Sequence, residues 1–205
     1  MKKVFAAGAL LLSFLVVHAQ DWTGKVYQIG MIYNGYYVTN TGDTVTGYFM
    51  HGNQVQNQQK CEFYTAETDH RATSIFKPED ISSYKVADKL YRSIHYSGGL
   101  LDKPLRFNLV IKDGAITEFT FYNEMWEKND DGTLKSDDVF LKYNDAANPK
   151  PVTLQYFGIG YAKKMSEFVS DDADLSKKVA DKEKGYGMLN LLEVIDEYNK
   201  WYLTK

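Results

Sequence analysis

Alternating apolar and polar residues predict short antiparallel strands along most of this chain. The clearest segment is LRFNLVIKDGAITEFTFY, residues 105–122. Apolar or small side chains occupy every second position on both sides of Asp113-Gly114, a dipeptide that favours a tight hairpin turn. The segment therefore predicts a β-hairpin. The alternating positions are Leu105, Phe107, Leu109 and Ile111 before the turn and Ala115, Thr117, Phe119 and Phe121 after it.

Similar patterns predict the other strands between about residues 26 and 157. GYYVTNTGDTVTGYFMHG reads as a hairpin whose turn lies at residues 40–43, with Val45 and Phe49 on one face of the second strand. Ala87-Asp88 connects a second pair of predicted strands, ISSYKV and KLYRSIHY. The remaining predicted strands are KCEFY, DVFLKY and PVTLQYF. About eight to ten antiparallel strands of this spacing are typical of a meander, a sandwich or a barrel.

The apolar period changes after Gly158 and predicts about three helices. Residues 161–169 carry apolar side chains at helical spacing, and residues 170–185 begin with candidate caps at Ser170 or Asp171 and end at Gly185. The last helix, about 187–203, has one apolar stripe that predicts a buried face. The stripe consists of Met188, Leu191, Leu192, Ile195, Tyr198 and Tyr202. Strands followed by helices predict an α+β fold, with the helices on one sheet face or at one end of a barrel.

The first 19 residues have the pattern of a secretory signal peptide. Two lysines precede an apolar run, and cleavage is expected between Ala19 and Gln20. The run of about 14 residues is shorter than the roughly 20 residues that span a bilayer. We therefore expect an exported protein, periplasmic or extracellular, with no transmembrane segment after cleavage. The expected organisation is a signal peptide at 1–19, a β-rich region at 20–158 and a helical region at 159–205 packed on it.

Charge and cysteine content narrow the class of protein. The formal charge is −3 and becomes −5 once Lys2 and Lys3 are removed with the leader, which argues against nucleic-acid binding. Cys61 is the only cysteine, so an intramolecular disulfide cannot form. Its position inside KCEFY favours a buried apolar role over a reactive thiol.

Several segments resemble a family of uncharacterised exported proteins from Gram-negative bacteria. The segments are G-Y-x-V-x-x-x-G-D-T-V-x-G at 35–47, F-K-P-E-D-I at 76–81, K-L-Y-R-S-I at 89–94, F-V-S-D-D-A-D-L-x-K-K-V at 168–179 and E-Y-N-K-W at 197–201. The resemblance covers most of the mature chain, and its motifs are structural: a turn, a helix cap and an amphipathic helix. The resemblance implies export and the overall architecture, and it implies no activity.

No catalytic, cofactor-binding or metal-binding residues are predicted. The chain lacks a G-x-S-x-G elbow and the Gly-rich phosphate loops. His51, His70 and His95 lack the spacing of a zinc site, and the polar surroundings of His51 and His70 predict solvated side chains. Glu118 and Glu124 are the acids considered for a carbohydrate-active hydrolase, which needs two carboxyl groups roughly 5–10 Å apart.

Aromatic residues are the candidate contacts for a ligand or a partner. Tyr36 and Tyr37 are adjacent, so in a strand their side chains point to opposite faces. Trp126 lies outside the alternating patterns. An exposed Tyr or Trp offers flat apolar area with a polar handle for a sugar ring or a protein.

The segment EKNDDGTLKSDD, residues 127–138, resembles a calcium loop. Its interior matches, with Asn129, Asp131 and Gly132 at the third, fifth and sixth positions. Glu127 and Asp138 at its ends are the wrong residues, and the flanks read as strands where an EF-hand has helices. We expect no specific metal here, and a polar connection from about Asn123 to Asp138.

The favoured hypothesis is therefore a non-enzymatic exported domain that binds a ligand or another envelope protein. The alternative is a carbohydrate-active hydrolase that uses paired carboxylates and aromatic platforms. No cofactor is predicted under either hypothesis.

Overall fold

A computed structural model describes residues 25–95, 105–123, 125–142 and 151–205. The predicted cleavage site at Ala19 and Gln20 and the candidate acid Glu124 lie outside the described residues. The strands are β1 Ile32–Thr39, β2 Thr44–Met50, β3 Cys61–Tyr64, β4 Ser74–Phe76, β5 Ile81–Val86, β6 Lys89–Ile94, β7 Arg106–Lys112, β8 Ile116–Tyr122, β9 Ser136–Lys142 and β10 Val152–Thr153. The helices are α1 Gln54–Gln59, α2 Leu154–Gly158, α3 Tyr161–Phe168, α4 Ala173–Ala180 and α5 Leu191–Tyr202, and a 3₁₀ turn at Met188–Asn190 precedes α5.

The described strands form one antiparallel sheet of ten strands. Their order is β10-β9-β8-β7-β6-β5-β1-β2-β3-β4. Two meanders, β1–β4 and β5–β10, are joined where β1 pairs with β5. The sheet is open, with β10 and β4 at its edges. The α+β class and the eight to ten antiparallel strands are confirmed, and of the three predicted arrangements the sheet is not a closed barrel.

Strand register separates the two faces of the sheet. Tyr37 pairs with Tyr84, Tyr84 with Tyr91 and Tyr91 with Leu109, so these side chains form a row on one face. The same face carries Ile116 and Phe140, which pack against the C-terminal helices. We call this the helix face. Tyr36, Phe119 and Val139 lie on the opposite face, where they contribute to a separate apolar cluster.

The β1–β4 end of the sheet curls toward the helix face. The rings of Tyr37 in β1 and Phe76 in β4 are 4.7 Å apart, although two strands lie between β1 and β4. Strands in a flat sheet are about 4.8 Å apart, so this contact requires strong curvature. Gly47 permits it, because a Cβ there would lie 2.3 Å from the Phe63 ring.

The C-terminal helices cover the other end of the helix face. Met165, Leu175, Val179, Ile195 and Tyr198 are fully or almost fully buried in one cluster with Ile116 and Phe140 of the sheet. The Asn199 side chain links α5 to the edge of β8 through hydrogen bonds with Ile116 N (2.8 Å) and Ile116 O (2.9 Å). Helices predicted near 161–169, 170–185 and 187–203 are therefore observed as α3, α4 and α5.

The predicted buried stripe of the last helix is partly wrong. Leu192 is 49% exposed and Tyr202 is also exposed, whereas Val194 is buried. Buried Leu191, Val194, Ile195 and Tyr198 follow the i, i+3, i+4, i+7 pattern, and Leu192 lies about 100° around the helix from Leu191.

Two further segments differ from the sequence prediction. In PVTLQYF only Val152–Thr153 is a strand, because the Thr153 side chain caps a helix that begins at Leu154. Helix α1 was not predicted. Its N-terminus has a capping box, in which Asn53 and Gln56 each bind the backbone N–H of the other.

The described helices include none that is both long enough and apolar enough to cross a membrane.

The exposure difference along α5 gives a testable prediction. Ile195→Asp should destabilise the protein by more than about 3 kcal/mol, because Ile195 is 2% exposed and the charge would be buried. Leu192→Asp should cost less than about 1 kcal/mol, because Leu192 is half-exposed and lies in the first turn, where an acid is favourable. Urea denaturation of both variants measures the difference. Equal losses of stability would contradict the observed helix face.

Candidate functional site

A cleft of about 230 Å³ lies on the helix face between the N-terminal segment 25–29, α1 and strands β6–β8. We call it the N-terminal cleft. One wall contains Lys25, Val26, Tyr27 and Ile29, a second wall contains His51, Gly52, Asn53, Gln54 and Asn57, and the strands contribute Lys89, Tyr91, Leu109 and Tyr122.

Buried Asn57 fixes the α1 wall of the cleft. Its Nδ2 donates to Tyr91 Oη (3.1 Å), its Oδ1 accepts from Gly52 N (2.9 Å), and its backbone O accepts from Tyr84 Oη (2.7 Å). The Tyr84 and Tyr91 rings stack at 4.8 Å beneath it. A six-residue helix is not stable alone, so these buried bonds hold α1 on the sheet.

Gln58 attaches the same helix to strand β8. Its side-chain amide donates to Tyr122 O (2.8 Å) and accepts from Tyr122 N (2.6 Å). The β7–β8 ladder extends only to the Leu109–Thr120 pair, and beyond it the Gln58 amide bonds the β8 backbone as a neighbouring strand would.

Lys89 is a buried cation in the floor of the cleft. It pairs with Val86 at the start of β6, which directs its side chain to the helix face. Residues 87 and 88 form the intervening turn, where Ala87 has a φ of 54°. The Lys89 residue is 5% exposed, and its Nζ lies 3.3 Å from Asp88 Oδ1 and 5.6 Å from the centre of the Tyr27 ring.

His51 contributes an imidazole with spare hydrogen-bonding capacity. Its Nδ1 is buried, and no described residue forms a hydrogen bond with it. The ring lies edge-on to Tyr27 at 5.9 Å and to Tyr33 at 6.3 Å. Burial lowers the pKa of His51, nearby Lys89 lowers it further, and Asp88 partly opposes both effects. The imidazole is therefore neutral at neutral pH and offers an acceptor or a donor to a ligand.

Tyr27 holds the N-terminal segment in place as the outer wall. Its ring contacts the Tyr33 ring at 5.0 Å, and Gln28 N donates to Tyr33 Oη at 3.1 Å. Burial raises the pKa of Tyr27, and the Asp88 carboxylate adds to this effect. The phenol is therefore a neutral hydrogen-bonding group beside two ammonium groups, Lys25 and Lys89.

The aromatic residues predicted as contacts lie in three separate places. Tyr36 lines a shallow cleft of about 440 Å³ on the opposite face, together with Thr46, Tyr48 and Lys85. Tyr37 packs in the core of the curled end against Phe49, Phe63 and Phe76. A direct contact of Tyr37 with a ligand is therefore disfavoured.

Trp126 lies on a hairpin that extends beyond β8 and β9. Backbone bonds from Asn123 N to Lys135 O and from Lys135 N to Glu127 O continue the pairing, and the turn closes at Gly132. Trp126 is 77% exposed. It therefore presents its ring to solvent and does not anchor the segment on the body of the protein.

The same hairpin contains the segment that resembles a calcium loop. Strands β8 and β9 flank it, which confirms the predicted flanks. Asp131 Oδ1 accepts hydrogen bonds from Thr133 N (2.9 Å) and Thr133 Oγ1 (2.6 Å), so this carboxylate stabilises the turn. Among the residues that the structure describes, no group of three or more His, Cys, Asp or Glu side chains is arranged to hold a metal ion.

Two carboxyl groups with raised pKa lie side by side on the helix face. Glu118 pairs with Phe140 and Thr120 pairs with Asp138, so Glu118 and Asp138 are diagonal neighbours. Burial raises the pKa of Glu118, and Asp138 adds to it while Lys112 opposes it. Burial also raises the pKa of Asp138. Neither acid lines the N-terminal cleft.

The structure agrees with the sequence prediction for Cys61 and His70 and differs from it for His51. Cys61 is buried as expected, and burial raises the pKa of its thiol. His70 is exposed as expected. The prediction that His51 is solvated is only partly correct, because the residue is half-buried and its Nδ1 is buried.

Lys89 and Asn57 were missed as site residues. Lys89 and Tyr91 are two residues apart in KLYRSI, so the alternation of a strand places both side chains on the same face. Asn57 and Gln58 lie in a polar run, NQVQNQQK, that has no apolar period to show which side is buried.

Comparisons with protein-family models, with curated proteins and with solved structures found no match.

The Gln58 contact predicts a specific loss of stability. Gln58→Ala leaves the half-buried N–H and C=O of Tyr122 without their partner and should cost about 2 kcal/mol, which corresponds to a fall in Tm of about 4–8 °C for a chain of this size. Gln59→Ala, at the exposed next position of the same helix, is the control. Equal melting temperatures for the two variants would show that the Gln58 contact does not hold α1.

The raised pKa of Glu118 predicts the direction of a pH effect. A carboxyl group with a higher pKa in the folded than in the unfolded state binds its proton more tightly when folded, so stability falls as pH rises through that window. Glu118→Gln should therefore be more stable than the wild type at pH 7, and the difference should vanish toward pH 4. Chemical denaturation across this range measures it, with exposed Glu67→Gln as control. A destabilised Gln variant at pH 7 would contradict the assignment.

Proposed function

We propose that this protein is an exported, non-enzymatic binding domain that holds a small polar molecule in the N-terminal cleft. The observation that carries the proposal is the cleft itself, where the buried polar side chains of Lys89 and Asn57 and the unpartnered Nδ1 of His51 converge within about 230 Å³. Enclosed clefts with a few convergent polar groups among aromatic walls are the usual form of a small-molecule site.

Export and family membership are also proposals. They rest on the leader pattern at residues 1–19 and on the resemblance of the hairpin at 35–47 and the ending at 168–179 to exported proteins of Gram-negative bacteria. A periplasmic or extracellular location would give the cleft access to small molecules that enter the envelope.

The hydrolase alternative is supported by the raised pKa of Glu118 and Asp138, since a general acid needs such a carboxyl group. Binding is favoured over hydrolysis because these two acids lie outside the N-terminal cleft, and the lining of that cleft contains no described carboxylate.

Trp126 and Tyr36 are proposed as contacts with a protein or a larger ligand. The ring of Trp126 is exposed on a projecting hairpin, and Tyr36 lines the cleft of the opposite face. Both positions are distinct from the N-terminal cleft, so their roles can be tested separately from it.

One experiment tests export and binding together. The full-length chain is produced in a Gram-negative host and purified from the periplasm under native conditions. Intact mass spectrometry should give a chain that begins at Gln20, and native mass spectrometry should show a bound small molecule that is released on denaturation.

The matched variants are Lys89→Met in the N-terminal cleft and Lys85→Met in the cleft of the opposite face. Loss of the bound mass in the first variant alone supports the proposal. Retention of the bound mass in folded Lys89→Met, or a wild-type protein that neither carries nor takes up a small molecule, would contradict it.

A further inference from the structure

We propose that the ligand of the N-terminal cleft is a small carboxylate with a flat apolar body, and that its charge faces Lys89 and a protonated His51. The inference rests on the proposed binding function of the cleft and specifies the chemistry of the ligand.

The charges around the cleft favour an anion. The ammonium groups of Lys25 and Lys89 lie 5.3 Å and 5.6 Å from the centre of the same Tyr27 ring. The described lining residues include these two lysines and His51 but no Asp or Glu. Asp88, beside the cleft, is the neighbouring counter-charge of Lys89. A ligand carboxylate would therefore enter a site that contains two ammonium groups, of which Lys89 is paired with Asp88.

The imidazole of His51 supplies the second polar contact. Its Nδ1 is buried, and no partner is found for it within the described part of the chain. An unpaired buried polar atom is unfavourable, and a ligand that bonds to it removes that cost. A carboxylate is acceptor-only, so it requires a proton on the ring nitrogen that faces it.

The residues that line the cleft favour a ligand with a flat apolar body. Tyr27, Tyr91 and Tyr122 present ring surfaces, and Val26, Ile29 and Leu109 add apolar area. A flat aromatic or unsaturated body fits between such rings, whereas a small inorganic anion would leave this apolar surface uncovered.

Binding of an anion would change the protonation of His51. The groups that act on or contact this ring are Lys89 from the start of β6, Asp88 from the turn before it, Tyr27 from the N-terminal segment and Tyr33 from β1. The other titratable groups that line the same cleft are Lys25, Tyr91 and Tyr122. In the free protein, burial and then Lys89 disfavour the imidazolium form, and Asp88 partly opposes them. A ligand carboxylate adds the opposite charge and favours it, so binding should take up a proton and strengthen as pH falls.

Calorimetric titration of the mature protein with benzoate and with benzamide tests the inference. Benzoate should bind several-fold more tightly at pH 6 than at pH 8, since a rise of one unit in the pKa of His51 on binding strengthens the affinity by at most tenfold across the titration. Titrations in two buffers of different ionisation enthalpy should show proton uptake in the wild type. Benzamide, the neutral analogue, should bind more weakly and without pH dependence.

His51→Gln should remove the pH dependence and the proton uptake, while exposed His70→Gln should keep both. The buffer comparison uses the wild type alone, so it remains decisive if the His51 variant does not fold. Equal binding of benzamide and benzoate, or pH-independent benzoate binding, would overturn the anion assignment. Failure of both probes would also overturn it, and a bound neutral molecule in native mass spectrometry would then leave the proposed binding function intact.

Discussion

The attachment of α1 to the sheet through Asn57 and Gln58 is the constraint on which the candidate site depends. A six-residue helix with a single buried apolar residue, Val55, gains little from apolar burial. Its position is set by the side-chain amides of Gln58 and Asn57, which bond the backbone of β8 and the Tyr91 hydroxyl, and by the Asn57 backbone carbonyl, which accepts from the Tyr84 hydroxyl. These hydrogen bonds fix the position of α1 on the sheet, so the gap beside the helix has a defined shape. Residues of the segment 25–29 line the outer side of that gap, and together they form the cleft.

Two different kinds of packing share one continuous sheet. At the β1–β4 end the sheet curls around its own aromatic side chains, with Phe49, Phe63, Phe76 and Tyr37 in mutual contact. At the β8–β10 end it stays open and is covered by α3, α4 and α5. The cleft lies between the two, over β6–β8, where neither the curl nor the C-terminal helices cover the helix face. The position of the cleft thus follows from the change between these two ways of burying a sheet face.

The sequence predicted the strands and helices that depend on local patterns. It missed the features that depend on tertiary contacts, which are the buried face of α5, helix α1 and the cleft. The hairpin at 105–122 and the helices near 161–169 and 187–203 follow from periodicity and turn chemistry, and they are observed. Leu192 was wrongly assigned to the buried face, because the apolar residues of α5 cover more of the helix surface than is buried. Their pattern alone does not show which of them face the sheet. Asn53 and Gln56 formed a visible capping pair, but a run of glutamines gave no apolar period to confirm a helix. The partners of His51 are 18 or more residues away in the sequence, so no local signal joined His51, Tyr27 and Lys89 into one site.

The two edges of the sheet bear on how this protein behaves at high concentration. The edge strands β4 and β10 contain three and two residues. Pro151 immediately precedes β10 and has no backbone N–H to donate to an additional strand. Long exposed edges are templates on which sheets extend from one molecule to the next, and such growth is hazardous for a chain without a disulfide. The shortness of both edges leaves few backbone groups for this growth and favours separate molecules over fibrils.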